Sequence, residues 1–134
     1  MIRDGEDVTI IACGVMVSQA VAAAELLSPK GVHARVVDMF CLKPIDRELI
    51  VESAIKTGAV VTAEEHSVIG GLGGAVAEVL TGAGVCAVQE FVGLKDTHAE
   101  CGSYDQLLKK YGLDAPALAA AAEKAINNKN RKAR

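Results

Sequence analysis

The stretch from Ala59 to Leu80 reads AVVTAEEHSVIGGLGGAVAEVL. Its opening residues, Ala59 to Ala63, are small, apolar or β-branched and spell a buried strand. Three ionisable residues end that strand: Glu64, Glu65 and His66. Four glycines follow, Gly70, Gly71, Gly73 and Gly74, and an apolar helix is expected over Leu72–Leu80. Strand, glycine-rich turn and helix form one βα step. In open α/β sheets, ligands and partners gather outside the carboxyl ends of the strands. This stretch puts charge, an imidazole and bare backbone at such an end.

The same alternation continues outward. Val8–Cys13 (VTIIAC) reads as a short apolar strand ending at Gly14. Helical spacing through Val17, Ala20, Val21, Ala24 and Leu27 predicts a helix over Ser18–Leu27, closed by Pro29 and Gly31. Val32–Met39 is a second strand. Lys43-Pro44 makes a bend, and Asp46 can cap a helix that runs through Thr57. Val85–Val92 is a fourth strand, although Glu90 is unusual inside one. Two helices are expected to close the chain, at Tyr104–Tyr111 and Ala115–Ile126. Residues 127–134 (NNKNRKAR) read as a disordered basic tail. Strands alternating with helices imply a mostly parallel sheet with helices on both faces.

The 134 residues fit one domain, residues 1–126, rich in Ala, Val, Ile and Leu, with aromatics at 3%. A net charge of −3 gives no reason to expect nucleic acid or an anionic membrane as partner. No apolar run has the length of a membrane span. The four cysteines, Cys13, Cys41, Cys86 and Cys101, form no CxxC pair or zinc-site spacing. Cys13 and Cys86 read as small core hydrophobes inside strands. With no signal peptide, a cytoplasmic chain with reduced thiols is expected.

The glycines invite a phosphate-binding reading, and the spacing argues against it. Val76 stands where GxGxxG needs its third Gly or Ala, and no Lys followed by Ser or Thr makes a P-loop. The glycines read instead as tight turning and close packing where a Cβ would clash. Glu64 and His66 share one side of the strand and could form an acid/base pair. No nucleophile with a paired base accompanies them, so a structural or interface role is expected. The loop KDTHAECG carries His98, Glu100 and Cys101, which do not make a metal constellation. Asp96 and Thr97 suit loop hydrogen bonds. No catalytic, cofactor-binding or metal-binding residue is assigned.

Four segments in order, DGEDVTIIACG, RVVDMFCLKPID, AVVTAEEHSVIGGLGGAVAEVL and GLKDTHAECGSYDQLLKKYGL, resemble the C-terminal domain of transketolase, including the short C-terminal subunit of split transketolases. Similar domains end 1-deoxyxylulose-5-phosphate synthase and the β subunit of 2-oxo acid dehydrogenases. The resemblance implies a three-layer αβα fold with a mostly parallel, five-stranded mixed sheet whose first strand is antiparallel. It implies a larger enzyme that moves two-carbon ketol units between phosphosugars with thiamine diphosphate and Mg, both held by other domains. It marks Glu64, Glu65, His66, Gly70, Gly71, Gly73, Gly74, Asp96 and Glu100 as signature or interface candidates. The implied partners are the N-terminal domains or subunit of the same enzyme and further copies of the chain. An independent regulatory α/β domain that binds a small ligand is the alternative of a different class.

Asp4-Gly5 ahead of a strand is a hairpin signal, yet Met1–Arg3 supplies only a stub of the strand before it. The chain thus reads as beginning inside a larger structure, with its first, antiparallel strand truncated. The sheet edge beside Val8–Cys13 is then expected to lie open and to support self-association.

Overall fold

A computed structural model describes residues 1–132. Four strands, β1 (Val8–Ala12), β2 (Ala34–Asp38), β3 (Ala59–Ser67) and β4 (Val88–Leu94), form one parallel sheet in the order β2-β1-β3-β4. Helices α1 (Met16–Leu27) and α5 (Ala115–Lys132) cover one face, α2 (Arg47–Thr57) and α3 (Leu72–Gly82) the other. A short helix, α4 (Tyr104–Lys110), links β4 to α5.

Strand alternation divides the core in two. Ile10, Val36 and Val61 pack under α1 and α5 with Met16, Leu27 and Leu118. Ile11, Val37 and Val60 pack under α2 and α3 with Ile50, Leu72 and Val76. All five residues of β1 are buried, as a parallel strand covered on both faces requires. Helix α2 starts where the sequence placed it: the Asp46 carboxylate accepts the Leu49 N–H at 3.0 Å, and Gly58, with φ +64°, ends it.

Three expectations change. Beside the four parallel strands, the truncated antiparallel first strand is a single bridge between Arg3 and Val36, as expected; its position is not. That bridge lies on β2, so β1 is paired on both sides and the expected open edge beside Val8–Cys13 does not exist. The reason lies in the Asp4–Asp7 crossing. It does not turn back onto β1. It passes over the start of β2, where Glu6 and Asp7 N–H both donate to His33 O. Gly5 comes so close there that a Cβ would strike the backbone of His33, Ala34 and Arg35.

The second change is at the C-terminus. Residues 127–132, expected as tail, continue α5; residues 133–134 lie outside the described residues. The helix persists because its side chains have partners. Lys124 and Asn128 bind Glu90 at 2.7 and 3.2 Å. Lys129 donates to the carbonyls of Asp7 (3.1 Å) and Thr57 (2.9 Å). The same contacts accommodate Glu90 inside β4. Third, β4 starts at Val88, so Cys86 precedes it and is exposed rather than core.

The crossing segment is held by charge. Arg35 is 3% exposed and its guanidinium reaches Asp4 (3.2 Å) and Glu52 (2.8 Å). Lys56 reaches Asp4 as well, at 2.8 Å. The Lys56 ammonium, then the Gly5 N–H, hold the Asp4 carboxyl below its usual value. A lowered folded-state pKa stabilises above the unfolded value, and the contribution is lost as pH falls through the folded one. Asp4→Asn should therefore lower the unfolding midpoint in urea at neutral pH, and the gap to wild type should narrow as pH falls below the ordinary Asp value of about 3.9. A gap of constant size across that range would contradict it.

Candidate functional site

In this strand order the chain reverses direction across the sheet between β1 and β3, the place where α/β folds commonly bind ligands. The exits of those strands carry Cys13-Gly14 and the Glu64–Gly71 turn. Strand alternation puts Glu64 on the face of Val60 and Thr62, toward α3, and beyond Ala63 the pairing of β3 with β4 slips before resuming at Ser67.

Glu64 is 3% exposed. One carboxylate oxygen accepts the Leu72 N–H at 2.7 Å and the other the Gly73 N–H at 2.9 Å. These are amides of the first turn of α3, whose N-cap, Gly71, offers no side-chain acceptor. Glu64 thus caps α3 from the preceding strand, and its charge complements the positive end of the helix dipole. Its two hydrogen bonds are of the charge-assisted kind.

The glycines now separate by role. Gly70 turns the chain at φ +74°. A Cβ on Gly71 would overlap the Glu64 carboxylate, and one on Gly73 would overlap the Phe91 ring and come within 2.9 Å of Thr62 Oγ1. A Cβ on Gly93 of β4 would likewise lie 2.8 Å from Val68 Cγ1 and 2.9 Å from His66 O. Gly74 faces open space, so the expected crowding does not extend to it.

His66 is on the same side as Glu64 but exposed. Its Nδ1 lies 3.9 Å from the Glu64 carboxylate and 2.9 Å from Ser67 O. At 3.9 Å the two residues do not form a hydrogen-bonded acid/base pair. Glu65 points away and accepts from Tyr104 Oη at 3.1 Å. Partial burial, then Glu65, push the Tyr104 phenol upward. Asp96 and Glu100 stay apart from this centre. Asp96 takes a left-handed turn at φ 45°. Glu100 binds Lys110 at 2.6 Å and its N–H donates to Tyr111 Oη, and this ion pair raises the Lys110 ammonium. Burial, then Glu64 and Asp38, push the half-buried Cys13 thiol up.

The residues present do not fit a diphosphate group. At the glycine-rich turn, the α3 N-terminus that could cradle a phosphate is filled by Glu64. Among the described residues no cluster of three His, Cys, Asp or Glu could hold a metal ion, and no helix is long and apolar enough to cross a membrane.

A different feature of this end went unread in the sequence. Three strand exits present an exposed apolar side chain, Val15 after β1, Phe40 after β2 and Ile69 after β3, and Tyr104 at the start of α4 joins them through its bond to Glu65. Phe40 is 86% exposed and Ile69 65%. Phe40 sits in DMFCL, and composition alone does not distinguish a core Phe from one past the strand's last residue.

The family model for the transketolase C-terminal domain matches residues 1–118. The chain belongs to the transketolase C-terminal domain family. A split-gene transketolase solved as an inactive beta4 tetramer superposes with a TM-score of 0.88 at 55% identity, over 93% of this chain and 41% of that one. The 6-deoxy-6-sulfo-D-fructose transketolase subunit SqwH of Clostridium sp. strain MSTE9 is 46% identical over 97% of this chain and 40% of its own length. The 1-deoxy-D-xylulose-5-phosphate synthase of Heliobacterium modesticaldum is 45% identical over 91% of this chain and 19% of its own. The chain therefore spans less than half the length of these relatives. Within the family fold, the glycine signature serves the Glu64 cap in this chain.

Gly71→Ala should destabilise by about 1–3 kcal/mol, because the new methyl displaces a buried carboxylate. Gly74→Ala should instead stabilise by about 0.5–1 kcal/mol through helix propensity. Urea unfolding of both variants checks the pair, and equal effects would contradict the assignment. Glu64→Ala leaves two buried amides unpaired and should cost about 1–3 kcal/mol, read in the same experiment.

Proposed function

We propose that this chain is the C-terminal part of a transketolase-type thiamine diphosphate enzyme, one that moves two-carbon ketol units between phosphosugars such as pentose phosphates. Its task is assembly. Its carboxyl-end face, with Val15, Phe40, Ile69 and Tyr104 beside Glu65 and His66, docks on the N-terminal domains or subunit that hold thiamine diphosphate and Mg. Copies of the chain also associate, in line with the tetramer of its structural relative. The enzyme works in the cytoplasm, where the four free cysteines stay reduced.

The observation that carries this reading is the Glu64 cap. The family match supplies the enzyme class, and the capped helix leaves this chain with no anion cradle of its own at that turn. An apolar rim at the strand exits is what an interface needs. The identity to a 1-deoxy-D-xylulose-5-phosphate synthase supports that enzyme as the second reading.

The test is reconstitution. The chain alone, titrated with thiamine diphosphate and Mg²⁺ in a calorimeter, should give no saturable signal and show no ketol transfer. Adding the N-terminal subunit should restore transfer, and Phe40→Asp with Ile69→Asp should lower the restored rate at least about tenfold, the size of one lost interface anchor. Micromolar cofactor binding by the chain alone would overturn the reading. Formation of 1-deoxy-D-xylulose-5-phosphate in the same mixture would decide for the second.

A further inference from the structure

The β4 edge of the sheet carries no bridge among the described residues, whereas the β2 edge carries that of Arg3. β4 pairs with β3 only. Val88 N–H donates inward to Gly58 O, and strand alternation turns Glu90 and Val92 inward as well. Gln89, Phe91 and Gly93 consequently turn their N–H and C=O groups outward. Among the described residues nothing bonds to those six groups. Unpaired edges of this kind invite another strand.

We propose that this edge joins two copies of the chain, β4 antiparallel to β4, on a two-fold axis through Phe91. The proposal rests on the self-association offered above and gives it a surface. The outward residues are spaced evenly about Phe91. In that register Phe91 pairs with Phe91 of the second copy, and Gln89 pairs with its Gly93 on either side. All three pairs are of the hydrogen-bonded kind, so the six free groups become six inter-strand hydrogen bonds with none left over. A shift by one residue in either chain would turn inward groups toward outward ones and lose the ladder.

The side chains agree with the register. The two Phe91 rings form a cross-strand aromatic pair. Glu90 meets Val92 rather than another carboxylate, and its own charge is met by Lys124 and Asn128 within its own subunit. Gly93 adds no bulk opposite Gln89. Beside the strand lies a cleft of about 240 Å³ bounded by Val92, Tyr111, Ala117 and Lys124, which gives the facing side chains room. Two four-stranded sheets would thereby become one eight-stranded sheet, with the family fold unchanged.

Charge exchange at the axis is the test. Phe91→Lys and Phe91→Glu each place like charges face to face across the two-fold, which destabilises a strand pair. Sedimentation velocity should show each variant alone with dimer dissociation raised at least about tenfold over wild type. An equimolar mixture of the two should recover association, because Lys then faces Glu; a folding defect could not recover on mixing. Thermal melts of both variants accompany the measurement. Wild type that associates while both variants do so equally well would place self-association on another surface and overturn the β4 proposal alone. Variants that dissociate without recovery on mixing would overturn the two-fold register. Wild type that stays monomeric at the highest attainable concentration would overturn self-association itself.

Discussion

The Glu64 carboxylate on the N-terminus of α3 is the contact on which the carboxyl end of this sheet depends. A buried anion has to be compensated, and here two main-chain amides do it. Much else follows. Gly71 has to lack a side chain, because the carboxylate occupies that space. Strand alternation from Val60 through Thr62 brings Glu64 to the helix side of the sheet. Gly93 has to let β4 pass close to β3. The negative charge also bears on Cys13 next door. A single inward acid therefore bears on two glycines and a helix start.

The arrangement turns a familiar motif around. A glycine-rich turn before a helix commonly receives an anion from outside. Here the anion belongs to the chain and is already in place. The turn thus becomes a rigid corner. It holds His66 and Ile69 at the surface on a fixed backbone, and rigid presentation of a few exposed groups is a property that suits a docking face.

Patterns of hydrophobicity made the order of strands and helices legible. Strand β1 reads as apolar without interruption, and Asp46 and Gly58 punctuate α2 as their chemistry demands. The sequence also contained the elements of the capped turn, but not their connection. Alternation puts Glu64 on the face of Val60 and Thr62, but nothing local says that α3 will cover that face and bring the Leu72 and Gly73 amides to it. Asp4-Gly5 signalled a turn, yet where the turned segment lands was decided by Arg35 on β2, a buried cation needing carboxylates at a distance in sequence. The polar run after Ile126 looked like a tail because its partners, Glu90 and the carbonyls of Asp7 and Thr57, come from three other parts of the chain.

Lys129 has a consequence for how the molecule is made. It bonds to Asp7, 122 residues earlier, and to Thr57, 72 residues earlier. Leu118, Ala119, Ala122 and Ala125 of the same helix complete the core on the α1 face of the sheet. Until α5 is in place, that face shows Ile10, Val61 and Ala63 to water, and closing such distant contacts is the slow part of folding. The part of the sheet under α5 therefore stays uncovered until that helix docks, and its apolar surface is one that chaperones or misassembly would meet.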